Sequence, residues 1–179
     1  MIRWCLLPFL LAAVGALAQS FEEDFEAEKP WKEIEAQLPP YPRAESLVAF
    51  EVSKAIPLRY FVDSESIAPG ADGVVRYSLV VRSPSGAENV TFEGMRCTTR
   101  EGKLYAFGRP DNTWSRNRHA QWEPIEVAVR QSAHQLILFR DFFCPERIMV
   151  SSREEAVRAL REGMHPRAAE HYRSGGGGD

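Results

Sequence analysis

Between Arg96 and Arg118 the chain carries Arg96, Arg100, Lys103, Arg109, Arg116 and Arg118 against only Glu101 and Asp111, with Tyr105, Phe107 and Trp114 among them. Guanidinium groups make paired hydrogen bonds to carboxylates and phosphates, and tyrosine and tryptophan rings offer faces for stacking. These residue types fit a binding patch made of Arg96, Arg100, Tyr105, Arg109, Trp114 and Arg116, suited to an anionic ligand, a glycan or an envelope protein. Two other readings need no outside partner. The patch can meet the chain's own acidic residues 22–35, or it can be a solvated strand face whose charges contribute little. Arg140-Asp141 reads as a structural ion pair.

Catalytic patterns are missing from the sequence. It has no serine-hydrolase elbow, no zincin helix, no phosphate-binding glycine loop and no CxxC pair. His119, His134, His165 and His171 lack metal-ligand spacing and read as solvated, so we expect no metal and no cofactor. Asp63, Glu65, Glu88 and Glu93 could supply a carboxylate pair for acid–base work, but the spacing singles out no pair.

The compartment follows from the first residues. Met1-Ile2-Arg3 precedes an apolar run from Trp4 to Ala18 that ends in Ala16-Leu17-Ala18, the small-x-small form cut by signal peptidase. The run is shorter than the roughly 20 residues that span a bilayer, and Pro8 interrupts it. Cys5 comes too early to carry a lipid. We therefore expect a cleaved signal peptide over residues 1–18, a periplasmic product and no membrane anchor. Loss of Arg3 moves the net charge from −3 to −4, a mild balance that argues against nucleic acid as a partner. Cys97 and Cys144 then remain. Two cysteines in an oxidising compartment predict a disulfide, with a reactive thiol as the alternative. Closing a loop of this size is worth about 4 kcal/mol.

These groups need elements to hold them. Residues 19–45 read as an acidic arm that Pro39, Pro40 and Pro42 keep extended. Its Phe21, Phe25, Trp31, Ile34 and Leu38 either dock on the body or bind a partner. Residues 46–163 read as one α+β domain. Val48, Phe50 and Val52 alternate, Leu58–Val62 is a second strand, and Val74–Ser83 is the clearest, with Val75, Tyr77, Leu79 and Val81 on one face. Ser83-Pro84-Ser85-Gly86 reverses the chain into a strand over Asn89–Arg100. Glu101-Gly102 turns it into another over Lys103–Arg109.

From Pro124, placed at a first helical position, Ile125, Ala128, Val129, Ser132, Leu136, Phe139 and Phe143 form one apolar stripe of a long helix, with His134 opposite. Glu126 reaches Arg130 one turn on. Ile148–Val150 reads as a short strand, and Ser152 with Glu155 opens a short C-terminal helix. Residues 164–179 read as a flexible tail. The expected fold is an antiparallel sheet of about five strands with one long helix on a face. Cys97 would point away from Val90 and Phe92; were all three to face the helix, a bulge at Gly94 would be required.

Several stretches are similar to the cryptic neisserial protein-like family. They are Phe21-Glu22-Glu23-Asp24-Phe25, Lys29-Pro30-Trp31, Leu38-Pro39-Pro40, residues 72–89, Tyr105-Ala106-Phe107-Gly108-Arg109 and Arg140-Asp141-Phe142-Phe143-Cys144-Pro145. The likeness covers about residues 21–162. It implies export to the periplasm of Gram-negative bacteria and a single domain, and it supplies no catalytic or binding residues. Lipidation ascribed to some members is not carried over, because this chain lacks a lipobox cysteine. With no catalytic motif in hand, a non-catalytic binding or interaction module of the cell envelope is the expected function. The alternative is a hydrolase-like envelope enzyme assembled from dispersed carboxylates and arginines, which would need a concave pocket around a perturbed carboxylate.

Overall fold

Val74–Arg82 alternates so regularly that it must form a strand with two different faces, and its neighbours build on that alternation. The structure, a computed structural model, describes residues 30–55, 57–126 and 133–175. The expected signal peptide, Phe21 and Phe25, the stripe positions Ala128, Val129 and Ser132, the Arg130 partner of Glu126 and Gly176–Gly178 lie outside the described residues.

The described residues form eight strands: β1 Leu47–Phe50, β2 Arg59–Asp63, β3 Ala68–Pro69, β4 Val74–Arg82, β5 Glu88–Arg96, β6 Glu101–Gly108, β7 Trp114–Arg116 and β8 Glu123–Pro124. They form one antiparallel sheet in the order β1-β2-β4-β5-β6-β7, with β3 also on β4 and β8 on β6. The five expected strands are β1, β2, β4, β5 and β6. The three additional ones are two or three residues long, too short for any period to show in the sequence.

One face carries the main core. Val75, Tyr77 and Leu79 of β4, Tyr60 and Val62 of β2, Phe50 and Met95 meet Leu138, Phe139, Phe142 and Phe143, with Ala156, Ala159 and Leu160 behind them. Among the described residues there is no single long helix. Helix α1 (Ala133–Ile137) passes into a wider π turn over Leu138–Phe143, closed by Cys144 N–H on Phe139 O. From this turn Leu138, Phe139, Phe142 and Phe143 all face inward. Pro124 belongs to β8 instead of starting a helix. A two-residue edge strand tolerates its missing N–H.

Helix α2 (Arg153–Glu162) forms as expected, with Ser152 Oγ accepting from Glu155 N–H at 3.2 Å. Ile148–Val150 is not a strand. The chain also does not become a loose tail at residue 164: helix α3 (Pro166–Arg173) follows, buries Ala168 and sends Tyr172 OH to Asp141 Oδ1 at 2.9 Å. Pro166, which reads as a stop, is instead the first residue of this helix, where proline fits well.

The turn after β5 is Cys97–Arg100, with Arg100 in the left-handed region (φ 58°), so β6 starts at Glu101 and not after it. Cys97 therefore sits in the turn, on the helix side, and is bonded to Cys144. Val90 and Phe92 face the other way, so no bulge at Gly94 is needed. The register does shift, between Phe92 and Glu93, but the extra residue is Tyr105 on β6. Its ring lies over Gly94, where a Cβ would come within 2.6 Å of it.

The second face is covered by the chain's own N-terminal segment. Ala36 and Leu38 pack on Phe92, Tyr105, Ala106 and Trp114, while Tyr41 joins Phe61, Val80 and Val90. Both faces of the central strands are thus buried, one by helices and one by an extended arm.

Candidate functional site

The arm is held by side chains at its ends and middle. At its start, Trp31 Nε1 donates to Asp72 O at 2.8 Å, and the Arg96 guanidinium lies 3.9 Å from the Trp31 ring centre. Trp31 also meets Trp122 edge to face at 5.8 Å. Two residues on, the Glu33 carboxylate accepts from Lys103 Nζ at 2.7 Å, Tyr105 OH at 2.7 Å and Trp122 Nε1 at 3.1 Å. Burial pushes this carboxyl up, but the three donors and the Lys103 charge hold it below the ordinary range. Burial and the Glu33 carboxylate together push the Tyr105 phenol up.

The next grip is on the backbone. Ile34 N–H donates to Asp72 Oδ2 at 2.8 Å, and Arg76 Nη2 donates to Ile34 O at 2.7 Å. Asp72 and Arg76 are themselves ion-paired at 2.7 Å with almost no exposure. Burial raises Asp72, and the Arg76 hydrogen bonds and the Ile34 N–H bring it below its ordinary value. Farther along, Trp114 Nε1 donates to Pro39 O at 2.9 Å, and the Tyr41 ring lies 5.3 Å from that of Trp114. The Tyr41 hydroxyl sits over Gly108, where a Cβ would come within 2.6 Å of it.

The basic patch is therefore several places. Arg96, Lys103, Tyr105 and Trp114 lie under the arm. Arg100 is on the opposite face, 5.9 Å from the Phe139 ring centre. Arg109 and Arg116 lie exposed at the β6–β7 edge, as does Arg118 beyond it. Arg109 Nη2 donates to Ser115 Oγ at 3.2 Å and its charge acts on Asp111, while Arg116 and Arg118 make no side-chain hydrogen bond or ion pair with a described residue. Phe107, on the neighbouring strand, is 46% exposed.

The helix face holds a polar cluster that sequence reasoning missed. Glu93 is buried and accepts from Tyr77 OH at 3.0 Å, Thr91 Oγ1 at 2.7 Å and Gln135 Nε2 at 3.0 Å; His134 Nε2 lies 3.2 Å away. Tyr60 stacks on the His134 ring. Burial raises Glu93, but the His134 charge and the hydrogen bonds carry it down to about 2. Burial and Glu93 push the Tyr77 phenol well up. His134 thus points toward the sheet and not to the polar side. The wheel that placed it opposite the stripe assumed an unbroken α-helix. His165 is not solvated either. Its Nε2 lies 2.9 Å from Glu155, whose carboxyl is held at about 2: burial raises it, and Ser151 and His165 lower it further.

The remaining carboxylate candidates are spread apart. Asp63 caps the turn at Glu65 N–H, Glu65 pairs with Arg43, and Glu88 pairs with Arg82. Arg140 forms the expected ion pair with Asp141 at 2.8 Å. Among the described residues no three His, Cys, Asp or Glu side chains come together as a metal-holding group, and no helix is long and apolar enough to cross a membrane. A cavity of about 540 Å³ is an open groove along α2 lined by Glu65, Arg153, Glu154, Arg158 and Arg161, and Glu93 is not part of it.

The CNP1-like family profile matches residues 26–161, three quarters of the sequence. The chain belongs to the CNP1-like family. Over 132 residues it is 33% identical to "Cryptic neisserial protein 1" of Neisseria gonorrhoeae (strain ATCC 700825 / FA 1090), the alignment covering 65% of this chain. The chain spans 65% of the length of that curated relative. No solved structure matches. The stretch shared with the CNP1-like family contains the described arm, both bridged cysteines, the Asp72–Arg76 pair and the Glu93–His134 cluster. Helix α3 lies beyond it.

Proposed function

We propose that the protein is exported to the periplasm and acts as a non-catalytic binding or interaction module of the cell envelope. Its capture surface is the basic edge of Arg109, Arg116 and Arg118. The observation that carries this reading is how the arm divides the patch: it neutralises Lys103 and covers Arg96, Tyr105 and Trp114, while the edge arginines keep their charge toward solvent. Such an edge suits an acidic envelope protein or an anionic glycan. The Cys97–Cys144 bridge and the signal-like first residues support export. The direction of the carboxylate shifts supports a non-catalytic role. Glu33, Asp72, Glu93, Asp111, Glu154 and Glu155 all move downward, which suits ion pairing and not a proton donor.

The test is co-purification from a periplasmic fraction, comparing the wild-type chain with R109E/R116E. Loss of the captured partner with unchanged thermal stability supports the edge as the site. Capture that survives the double reversal removes it.

A further inference from the structure

The groups that grip the arm are held in place by the body alone. Arg76 and Asp72 pair with each other across the β4 entry, Tyr105 packs on Phe92 at 5.5 Å between ring centres, and Trp114 packs on Phe92 at 6.2 Å. The result is a groove with a three-donor carboxylate pocket, a backbone clamp and an aromatic seat. The arm, in turn, packs on the two smaller clusters of the second face and not on the main core. The main core cluster contains no arm residue, and of residues 31–43 only Ala36 is buried. Trp31, Lys32, Ile34 and Glu35 remain exposed while docked.

We propose that this groove also takes the arm of a second copy, so that two chains can be joined by exchanged arms. Every contact needed already exists within one copy, because the incoming segment is chemically identical to the resident one. Exchange of an identical element needs no new complementarity. The joint lies between Tyr41 and Leu47, where Pro42 and a single 3-10 turn at Ala44–Ser46 connect the arm to β1. Pro39, Pro40 and Pro42 keep the segment extended, and a polyproline-like stretch of this length reaches roughly 30 Å. A tethered arm has an effective concentration on the order of millimolar, so the wild-type chain stays closed at micromolar concentration. Exchange becomes visible when the contact within one copy is made repulsive. This inference concerns the arm groove and does not depend on the basic edge.

The Glu33–Lys103 ion pair provides the test. In E33K, two ammonium groups face each other within one copy, and in K103E, two carboxylates do. Mixing the two variants allows both junctions to form between copies with opposite charges. Light scattering should show monomers for each variant alone, a one-to-one dimer for the mixture at tens of micromolar, and monomers for E33K/K103E, in which the pair is restored within one chain. A mixture that stays monomeric overturns the proposal. A second readout uses a fluorescent peptide of residues 30–43. It should bind E33K at least tenfold more tightly than it binds wild type, and should not bind K103E. Should E33K fail to fold, E33A serves in this arm of the test. Peptide binding without dimer in the mixture also rejects exchange, and assigns the groove to an acidic segment of another protein. Equal binding to K103E places the peptide elsewhere and rejects the groove.

Discussion

Arg76 and Asp72 hold each other through two hydrogen bonds, of 2.7 and 3.1 Å, and between them satisfy both backbone groups of Ile34. The pair does for the arm what a neighbouring strand would do. It gives Ile34 one acceptor and one donor, but from side chains, so the arm can cross the sheet face without joining the ladder. Removing one member leaves the other as a buried, unpaired charge, and breaking such a pair costs about 3–5 kcal/mol. R76M is expected to lose about that much stability in urea unfolding and to expose the arm to protease near Ile34. D72N/R76M, which removes both charges, should recover part of the loss. If R76M unfolds at the wild-type urea midpoint, the pair is not a structural element.

Gly94 exists for Tyr105. A methyl group at Gly94 would lie 2.6 Å from the Tyr105 ring and hydroxyl, so G94A must displace the ring that donates to Glu33. Overpacking of this kind destabilises by about 1–3 kcal/mol. Without the ring the clash is gone, so G94A should be close to neutral in a Y105A background. The double-mutant cycle should therefore show coupling of about 1 kcal/mol or more. Additive effects would mean that the glycine answers to something other than the ring.

The disulfide ties the turn after β5 to the end of the π turn, across a sequence separation of 47. Both sulfurs are buried against Phe143 and its neighbours. In the chain-entropy view a loop of this size contributes about 4 kcal/mol. C97A/C144A should lose a similar amount in denaturant. Protein taken from the envelope without reductant should not react with a thiol alkylating reagent. Full alkylation under those conditions would contradict both the bridge and the oxidising compartment.

The sequence makes legible whatever repeats with a strong period. Val75, Tyr77, Leu79 and Val81 announce β4, and Ser152 with Glu155 announces α2. It does not show that both sheet faces are covered. The strand pattern alone gives Phe92 and Val90 no cover, and docking of Trp31, Ile34 and Leu38 on the body is one of two readings that the acidic, proline-rich arm allows. Arg76, a charge in the middle of the best strand, is the signal that something polar lies opposite it. The π turn hides for a different reason. Its extra residue per turn breaks the 3.6 period at Leu138, and with that break the placement of His134 is lost. Of the basic patch, the sequence shows the density of charge but not its division. That depends on which residues of β5 and β6 alternate toward the arm, and the bulge at Tyr105 alters the alternation. Of the self-contact with acidic residues 22–35, one of three readings of that patch, the Lys103–Glu33 ion pair is present, and Arg96 lies over the Trp31 ring instead of an acid.

Glu93 should set much of the acid limit of the fold. In the unfolded chain it takes up a proton near its ordinary 4.5, and in the folded protein only near about 2. Between those values the unfolded state binds the extra proton, so stability falls as pH drops from about 4.5 to about 2 and is fully present above that window. A difference of this size corresponds to about 3 kcal/mol. Glu155, also held at about 2, adds to the fall over the same window and is more exposed, so its share is smaller. E93Q removes the proton linkage and also leaves His134 without its carboxylate. Its stability at neutral pH should be lower by about 3 kcal/mol, and its curve should flatten through the window until the two proteins converge near pH 2. Urea unfolding at a series of pH values measures both curves. Parallel curves that keep their separation down to pH 2 would show that Glu93 is not the titrating group, and that the His134 contact stabilises the fold without storing charge.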